Sequence, residues 1–232
     1  HKQSLFIFST IMFCFPIIKL FISLIAYLII PAPLFPESYS TLLYSSENEL
    51  LSARIAPDSQ WRFPPTDSLP RKYTTCLLAY EDKHFYQHPG IDPIAILRAV
   101  RLNLSAKRVV SGGSTITMQL ARIARGNRER TLYEKILETG WALLLEELYS
   151  KEEILNLYAS HAPFGGNVVG IETAAWRYFG RSAHELSWAE SATLAVLPNS
   201  PALIHPGRNQ AQLKAKRDRL LSTLKKKGLL DE

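Results

Sequence analysis

The residues best suited to chemistry are an acid pair, Glu81-Asp82, which follows an apolar stretch and precedes the turn residues Pro89-Gly90. The preceding residues, 76–80, have the composition of a buried helix, and the proline-glycine pair ends the segment. A carboxylate where a buried helix meets a turn can lose part of its hydration, which raises its pKa and makes it a better base near neutral pH. Most isolated acid pairs are solvated, so the surrounding sequence must decide between a catalytic base and a surface pair.

A second carboxylate, Glu138, lies on a long predicted helix, and Lys135 shares its helix face. Donors for phosphate or sugar oxygens precede it at Ser114, Thr115 and Gln119. Eight basic residues and one acid lie between positions 98 and 130, the basic ones being Arg98, Arg101, Lys107, Arg108, Arg122, Arg125, Arg128 and Arg130. Such a stretch is either a solvated basic face or a binding site for an anion such as pyrophosphate.

The elements that position these residues are predicted to be mainly helices. Residues 39–55 read as a short β-hairpin, residues 57–70 as a proline-rich connector, and no further strand is expected from Arg71 onward. Asp92 followed by Pro93 predicts a helix start, with the helix running to about Leu104. Two further helices are predicted at 116–124 and 131–148. Capping boxes at Ser150 and Ser187 predict one helix that ends near Tyr158 and another at 188–197. A last helix is predicted at 209–227, where Gly228 ends it.

The amino-terminal segment predicts a membrane anchor. Residues 5–30 are almost wholly apolar, and as a helix they would span about 39 Å, enough for a bilayer core of about 30 Å. The alternative is a cleaved signal peptide, but its apolar region would be only about 7–15 residues long, so a retained anchor is favoured. Because the first residue is His1 rather than Met, we expect that the chain is truncated at its amino end.

Charge and cysteine content narrow the class of protein. The formal net charge is +6, which suits a negatively charged partner such as a phospholipid surface, a pyrophosphate or a nucleic acid. Nucleic acid is disfavoured by the apolar anchor and by the absence of a recognition motif. A disulfide between Cys14 and Cys76 is not expected, because one lies in the apolar segment and the other in a predicted core helix. The scattered histidines show no metal-ligand spacing.

Four ordered motifs carry a resemblance to a known family. They are Glu-Asp-x-x-Phe-x-x-His-x-Gly at 81–90, Gly-Gly-Ser-Thr-Ile-Thr-Met-Gln-Leu at 112–120, Arg-Thr-Leu-Tyr-Glu-Lys-Ile-Leu-Glu at 130–138, and Lys-Glu-Glu-Ile-Leu-Asn-Leu-Tyr at 151–158. In order and spacing they are similar to those of the peptidoglycan glycosyltransferases, glycosyltransferase family 51, the polymerase half of class A penicillin-binding proteins. The resemblance covers roughly residues 35 to 228, and residues 60–64 and 162–167 look most like the penicillin-binding protein 1C branch.

The resemblance implies a mainly α fold with a lysozyme-like glycosyltransferase domain. The expected organisation is a transmembrane anchor at 1–30, a β-hairpin and connector at 31–70, the glycosyltransferase domain at 71–208, and a basic helix at 209–232 leading to a missing domain. The anchor would lie in the bacterial inner membrane, with the catalytic domain on its extracytoplasmic side. The implied partners are lipid II, the growing glycan chain, the membrane and a cell-wall synthesis complex.

The implied reaction polymerises lipid II into β-1,4 glycan with inversion and release of undecaprenyl pyrophosphate. Glu81 is then the general base, and Glu138 supports the leaving group through basic neighbours or a divalent cation, Mg²⁺ or Mn²⁺; no resident metal site is expected. The implied substrate-binding residues are Asp82, Ser114, Thr115, Gln119, Arg122, Arg130 and Lys135. His88 is expected to brace its loop rather than bind metal, Phe85 to lie in the core, and His84 to lie on the surface.

The sequence departs from the family pattern at three places: Glu134 where arginine is usual, Met118 where a first glutamine is usual, and Ala159-Ser160 where Leu-Asn is usual. These departures motivate an alternative, a catalytically weak scaffold for partner binding, and a lytic transglycosylase is a second alternative. With the usual residue restored, Glu134→Arg is expected to raise activity or leave it unchanged. Arg98, outside the motifs, is expected to matter less than Arg130.

Overall fold

The computed structural model describes residues 21–35, 38–47, 49–66, 68–108, 112–129, 131–198 and 209–230. Within these ranges the chain is mainly helical with two small sheets. Residues 21–29 form helix α1. None of the helices in the described ranges has the length and apolar character needed to cross a membrane. Residues 5–20 of the predicted anchor lie outside these ranges, so the anchor stays a prediction.

The predicted hairpin is confirmed. Strands β1 (Thr41–Tyr44) and β2 (Leu50–Arg54) pair antiparallel, with Thr41 opposite Arg54 and a register shift between Leu43 and Tyr44. The Ser45 hydroxyl accepts hydrogen bonds from the backbone N–H groups of Glu47 and Glu49 at 3.2 and 3.1 Å. A serine side chain in this position stabilises the turn that sets the hairpin register.

A second, three-stranded sheet corrects one prediction. Strands β3 (Trp61–Arg62), β4 (Pro163–Gly165) and β5 (Val168–Val169) lie in the order β3-β5-β4, with β3 parallel and β4 antiparallel to β5. The expectation of no further strand after Arg71 was therefore wrong, and the proline-rich connector at 57–70 contributes β3 to this sheet. Strands of two or three residues are too short for the alternation that identifies a strand in sequence.

Eight further helices follow the hairpin in the described ranges. They are α2 (Arg71–Glu81), α3 (Pro93–Ala106), α4 (Ile116–Ala124), α5 (Leu132–Leu148), α6 (Lys151–His161), α7 (Ile171–Phe179), α8 (Trp188–Val196) and α9 (Gln210–Lys226). The predicted spans agree with these bounds to within two residues, except that α6 extends three residues beyond Tyr158. The predicted capping boxes at Ser150 and Ser187 are confirmed, and a third occurs at Ser182.

The core forms where α2 packs against α8 and where α4 packs against α5 and α6. Its largest fully buried side chains include Tyr73, Phe85, Tyr158 and Phe164, so the prediction of a core position for Phe85 is confirmed. Helix α9 packs on α8 and buries leucines in the same core. The proposed boundary between residues 208 and 209 stays a prediction, since it falls beside the undescribed range 199–208. Cys76 is buried as a free thiol.

Candidate active site

Glu81 is the last residue of α2 and lines an open cleft of about 440 Å³. The cleft lies between the end of α2, one side of α3 and the loop that leads into α4. Of the predicted site residues, Glu81, Asp82, Ser114, Thr115, Gln119 and Arg122 line it together. It is also lined by residues outside the predicted set of site residues, among them Tyr80, Lys83, His84, Asp92 and Arg98.

The Glu81 carboxylate is held by a side chain of α4. The amide nitrogen of Gln119 donates to Glu81 Oε2 at 2.6 Å, and Tyr158 on α6 donates from its hydroxyl to Gln119 Oε1 at 3.2 Å. Tyr158 is fully buried; burial raises its pKa well above the ordinary value, and the charge of Glu81 raises it further. The phenol therefore stays protonated across the working pH range. Three motifs thus meet in one hydrogen-bonded chain.

Asp82 faces inward, with only 3% of its side chain exposed. One oxygen accepts the backbone N–H of Ile116 at 3.0 Å, and both lie within 3.1 Å of His88 Nε2. A carboxylate at the N-terminus of α4 also meets the positive end of that helix. The prediction that His88 braces its loop agrees with these contacts. The substrate-binding role predicted for Asp82 stays untested, and its contacts point instead to a role in positioning Glu81 beside α4.

The Thr115 hydroxyl likewise makes its hydrogen bonds within the protein. Its hydroxyl donates to the carbonyl oxygen of Gly90 at 2.6 Å and accepts the N–H of Met118 at 3.1 Å, so it caps α4. Gly113 lies so close to α3 that a Cβ there would be 2.8 Å from the Ile96 Cα atom. The Gly-Gly-Ser-Thr segment is therefore shaped by tight packing as well as by any ligand.

Lys135 joins the second carboxylate to the cleft. Its ammonium lies 2.8 Å from Glu138 Oε2 and donates to Ser114 Oγ at 2.8 Å. The Glu138 side chain is only 8% exposed, whereas that of Lys135 is 39% exposed and can meet a ligand. The predicted sharing of one helix face by these two residues is confirmed, and Ser114 links them to the cleft that holds Glu81.

Three cationic side chains line the Glu81 cleft: Lys83 in the loop after α2, Arg98 on α3 and Arg122 on α4. Arg98 was expected to matter less than Arg130 because it lies outside the motifs; it nevertheless lines the cleft, whereas Arg101, one turn later on α3, does not. The only signal in the sequence was its membership of the basic stretch. Arg130 lies outside the described residues, so its predicted role is not tested.

His84 is more than a surface residue. Its Nδ1 lies 3.0 Å from Asp92 Oδ2, although 43% of its side chain is exposed. Burial works to raise the pKa of Asp92, but the hydrogen bonds from the Ala95 N–H and from His84 outweigh it and lower that pKa below its usual range. This pair fixes the start of α3 against the loop that follows Glu81.

Glu134, the acid that replaces the family's usual arginine, has partners of its own. Its carboxylate accepts from Arg125 Nη2 at 2.7 Å and lies 3.7 Å from Arg128 Nη1. Glu134 and Arg125 are each 13% exposed, and the Arg125 guanidinium also lies 5.3 Å from the Trp141 ring. The negative charge therefore holds a neighbouring arginine in place.

Among the described residues, the donor set does not fit a divalent cation held by the protein. No group of three or more histidine, cysteine, aspartate or glutamate side chains suited to a metal occurs in the described part of the chain. Glu138, the acid expected beside the pyrophosphate, already has one oxygen on Lys135. A cation carried by the pyrophosphate itself stays a prediction.

Comparisons with known proteins agree with the motifs. The chain is 38% identical over 200 residues to penicillin-binding protein 1C of Escherichia coli K12, which covers 86% of this chain and 26% of that protein. It is 35% identical over 223 residues to penicillin-binding protein 1A of Aquifex aeolicus, covering 92% and 30%. A crystal structure of penicillin-binding protein 1A from Haemophilus influenzae aligns with a TM-score of 0.45 at 18% identity, covering 85% of this chain and 20% of that one.

The chain thus spans about a quarter to a third of the length of the relatives that it matches. The family model described as transglycosylase matches residues 47–225. That range contains all four motifs, the cleft and every helix from α2 to α8. The chain therefore belongs to the transglycosylase family.

Proposed function

We propose that this chain is a peptidoglycan glycosyltransferase that polymerises lipid II into β-1,4 glycan and releases undecaprenyl pyrophosphate. The observation that carries the proposal is the cleft in which Glu81, oriented by Gln119, shares one space with Arg98 and Arg122. A base and cations in one cleft suit a transfer in which a hydroxyl is deprotonated and an anion departs. Membership of the transglycosylase family supports the same reaction class.

In this mechanism Glu81 acts on the acceptor sugar. Its carboxylate takes the proton of the lipid II 4-hydroxyl as that oxygen forms a bond to the anomeric carbon of the growing chain. The bond from that carbon to the pyrophosphate breaks, and its electron pair leaves with the pyrophosphate. A single displacement inverts the anomeric centre. Gln119 contributes by holding one Glu81 oxygen, which leaves the orientation of the other fixed.

The leaving pyrophosphate needs donors and positive charge. Arg98 and Arg122 line the cleft itself, and Lys135 reaches its edge at Ser114. Because Glu138 holds the Lys135 ammonium at 2.8 Å, that cation has a fixed position before substrate arrives. Pre-positioned charges stabilise a developing anion better than mobile ones, since no reorganisation is needed during the reaction. Arg130 is proposed to join them, from the motif alone.

A lipid-linked substrate requires an apolar surface beside the cleft. On α3, the exposed apolar residues are Ile94, Leu97, Val100, Leu102 and Leu104, and on α5 they are Leu132, Tyr133, Ile136 and Leu143. Ile94, Leu97, Leu104 and Leu132 are each more than 70% exposed. Apolar side chains of this size on helices that carry cations suit contact with an anionic bilayer surface. We propose that α3 and the start of α5 touch the membrane.

The remaining parts of the proposal come from the family resemblance. They are a lysozyme-like core, a location at the bacterial inner membrane with the cleft on the extracytoplasmic side, and participation in a cell-wall synthesis complex. Glu134 motivated the alternative of a weak scaffold, but its ion pair with Arg125 gives that acid a role compatible with catalysis.

The test is polymerisation of purified lipid II by the full chain in detergent micelles. We expect a glycan ladder on gels that lysozyme degrades, together with undecaprenyl pyrophosphate in the lipid fraction. Glu81→Gln should lower the rate by about 10²–10⁴, as loss of a general base typically does. Glu152→Gln, the same change at an exposed acid on α6, should leave the rate unchanged.

Two outcomes would overturn the assignment. Polymer formation by Glu81→Gln at the rate of Glu152→Gln would remove Glu81 as the base. Release of sugar fragments from preformed glycan, without polymerisation of lipid II, would instead favour the lytic alternative.

A further inference from the structure

We propose that Tyr158 is a positioning residue for this reaction, fixing the orientation of the Gln119 amide so that its NH₂ group faces the Glu81 carboxylate. The inference rests on the proposed function, because it assigns a role in preparing the base of that reaction. Tyr158 is the last residue of the fourth motif, for which no chemical role was predicted. It touches the site only through Gln119.

Two consecutive hydrogen bonds connect the buried Tyr158 to Glu81 in the cleft. The Tyr158 hydroxyl donates to Gln119 Oε1 at 3.2 Å, and Gln119 Nε2 donates to Glu81 Oε2 at 2.6 Å. Tyr158 and Gln119 are 0% and 6% exposed, so water cannot readily replace either partner. The Gln119 oxygen and one of its two amide hydrogens are therefore used within the protein, which makes Gln119 a holder of Glu81.

The Tyr158 hydroxyl group, as a hydrogen-bond donor, determines which way the Gln119 amide is oriented. A glutamine amide can turn over and exchange its oxygen and nitrogen. In the reversed orientation the amide oxygen would face the Glu81 carboxylate, two acceptors in contact, and the phenolic hydrogen of Tyr158 would lose the acceptor it has here. Leaving a buried donor unsatisfied is costly, so the phenol selects the orientation in which Gln119 donates to Glu81. A donor to the carboxylate favours its ionised form, which is the form that accepts a proton.

Other charged and titratable groups near Glu81 must be held constant in any test. Tyr73 and Tyr80 lie on α2 and Arg122 lies on α4, while Arg219 on α9 acts on Tyr80 through its charge. The other such groups line the cleft, namely Asp82, Lys83, His84, Asp92 and Arg98. Tyr73 provides a matched control. It is as fully buried as Tyr158 and also senses the charge of Glu81, yet its hydroxyl has no hydrogen-bond partner among the described residues.

The experiment compares Tyr158→Phe with Tyr73→Phe in the full chain, using two readouts. The first is the pH dependence of kcat and KM for lipid II polymerisation. The second, independent of activity, is the carboxyl ¹³C titration of Glu81 in micelles, assigned by the signal missing in Glu81→Gln. We expect Tyr158→Phe to move the Glu81 titration midpoint and the acidic limb of the rate profile upward by about one pH unit. We expect kcat to fall about tenfold, part of the ~10²–10⁴ that a general base contributes, with KM little changed. Tyr73→Phe should do neither.

A third variant protects the test against a folding defect. Replacing Tyr158 by 3-fluorotyrosine keeps ring and hydroxyl but makes the phenol a stronger donor, so the midpoint should move downward. Equal midpoints for Tyr158→Phe and wild type, equal shifts for the two phenylalanine variants, or an upward shift with 3-fluorotyrosine would each overturn the inference. If wild type makes no polymer while the titration behaves as expected, the proposed function fails and the role of Tyr158 in orienting Glu81 stands.

Discussion

Replacing Glu134 by arginine tests whether this acid holds its neighbour in place. From the family pattern alone, Glu134→Arg was expected to raise activity or leave it unchanged. The contacts predict a loss of stability instead, because Glu134 is the near partner of Arg125, at 2.7 Å with both side chains 13% exposed. The substitution removes that partner and adds a second cation in the same place.

The size of the effect follows from two contributions. Removing one partner of a buried ion pair costs about 3–5 kcal/mol. Because this pair keeps some exposure to solvent, we expect its cost to lie at or below the lower limit of that range. Two like charges about 4 Å apart at an effective dielectric constant of about 20 repel by about 4 kcal/mol, much of which a flexible arginine relieves by turning to solvent. We expect a net loss of about 2–4 kcal/mol. For a chain of this size, that lowers Tm by about 5–15 °C.

The assay is thermal unfolding of the purified chain in detergent, followed by tryptophan fluorescence. Glu129→Arg is the matched control, since it makes the same charge change five positions earlier at an exposed residue. The double variant Glu134→Arg with Arg125→Glu reverses the pair and should recover at least half of the lost stability. A Tm for Glu134→Arg within 1–2 °C of that for Glu129→Arg, about the shift of 0.5 kcal/mol, would refute the reasoning.

Three further predictions concern the turn, a buried histidine and the cleft. Gly90→Ala should destabilise the chain by about 2–4 kcal/mol in denaturant unfolding, because φ is +86° and the new Cβ would lie 2.8 Å from a backbone oxygen of α5. Gly126→Ala, at φ +82° with nothing within 4 Å, should cost only about 1 kcal/mol. Burial lowers the pKa of His161, so the folded state resists protonation and stability is lost as pH falls below about 6.5. His161→Gln should therefore lose less Tm than wild type between pH 7.5 and 5.5, and an equal loss would contradict this. Arg98→Ala should slow polymerisation by about 10²-fold, whereas Arg101→Ala, one turn along the same helix but outside the cleft, should not. Equal rates for the two variants would mean that the basic residues of α3 act only through their summed electrostatic field.

The elements that the sequence predicted well are those with local signals. The start of α3 was predicted from Asp92 and Pro93, and the Asp92 side chain does accept the Ala95 N–H at 2.9 Å. The capping boxes at Ser150 and Ser187 were predicted because both partners lie within four residues. Each of these features depends on a short stretch of chain, and a short stretch of sequence is sufficient to predict it.

The features that the sequence missed depend on partners that are distant along the chain. The parallel pairing of β3 with β5 joins two-residue strands that have no periodicity of their own. The contacts of Gln119 with Glu81 and Tyr158 were not predicted, because the sequence shows the hydrogen-bonding capacity of Gln119 but not its partners, and its role in substrate binding stays a prediction. Arg98 and Arg101 look alike in the basic stretch, and only the rotation of α3 separates them.

The pairing of β3 with β5 has a consequence for how the chain folds. Trp61 and Val168 are 107 positions apart, and they enclose every residue of the cleft. Closing a loop of that length costs about 4 kcal/mol in chain entropy, in addition to a contribution that does not depend on length. This cost exceeds the free energy that the hydrogen bonds of a two-residue strand pair contribute. The sheet should therefore form last, after α2 to α6 have brought its ends together, and along the reverse path it should open before the rest of the domain unfolds. The Trp61 N–H, which donates to the Asn167 carbonyl at 2.8 Å, should then exchange with deuterium faster than the rate set by global unfolding.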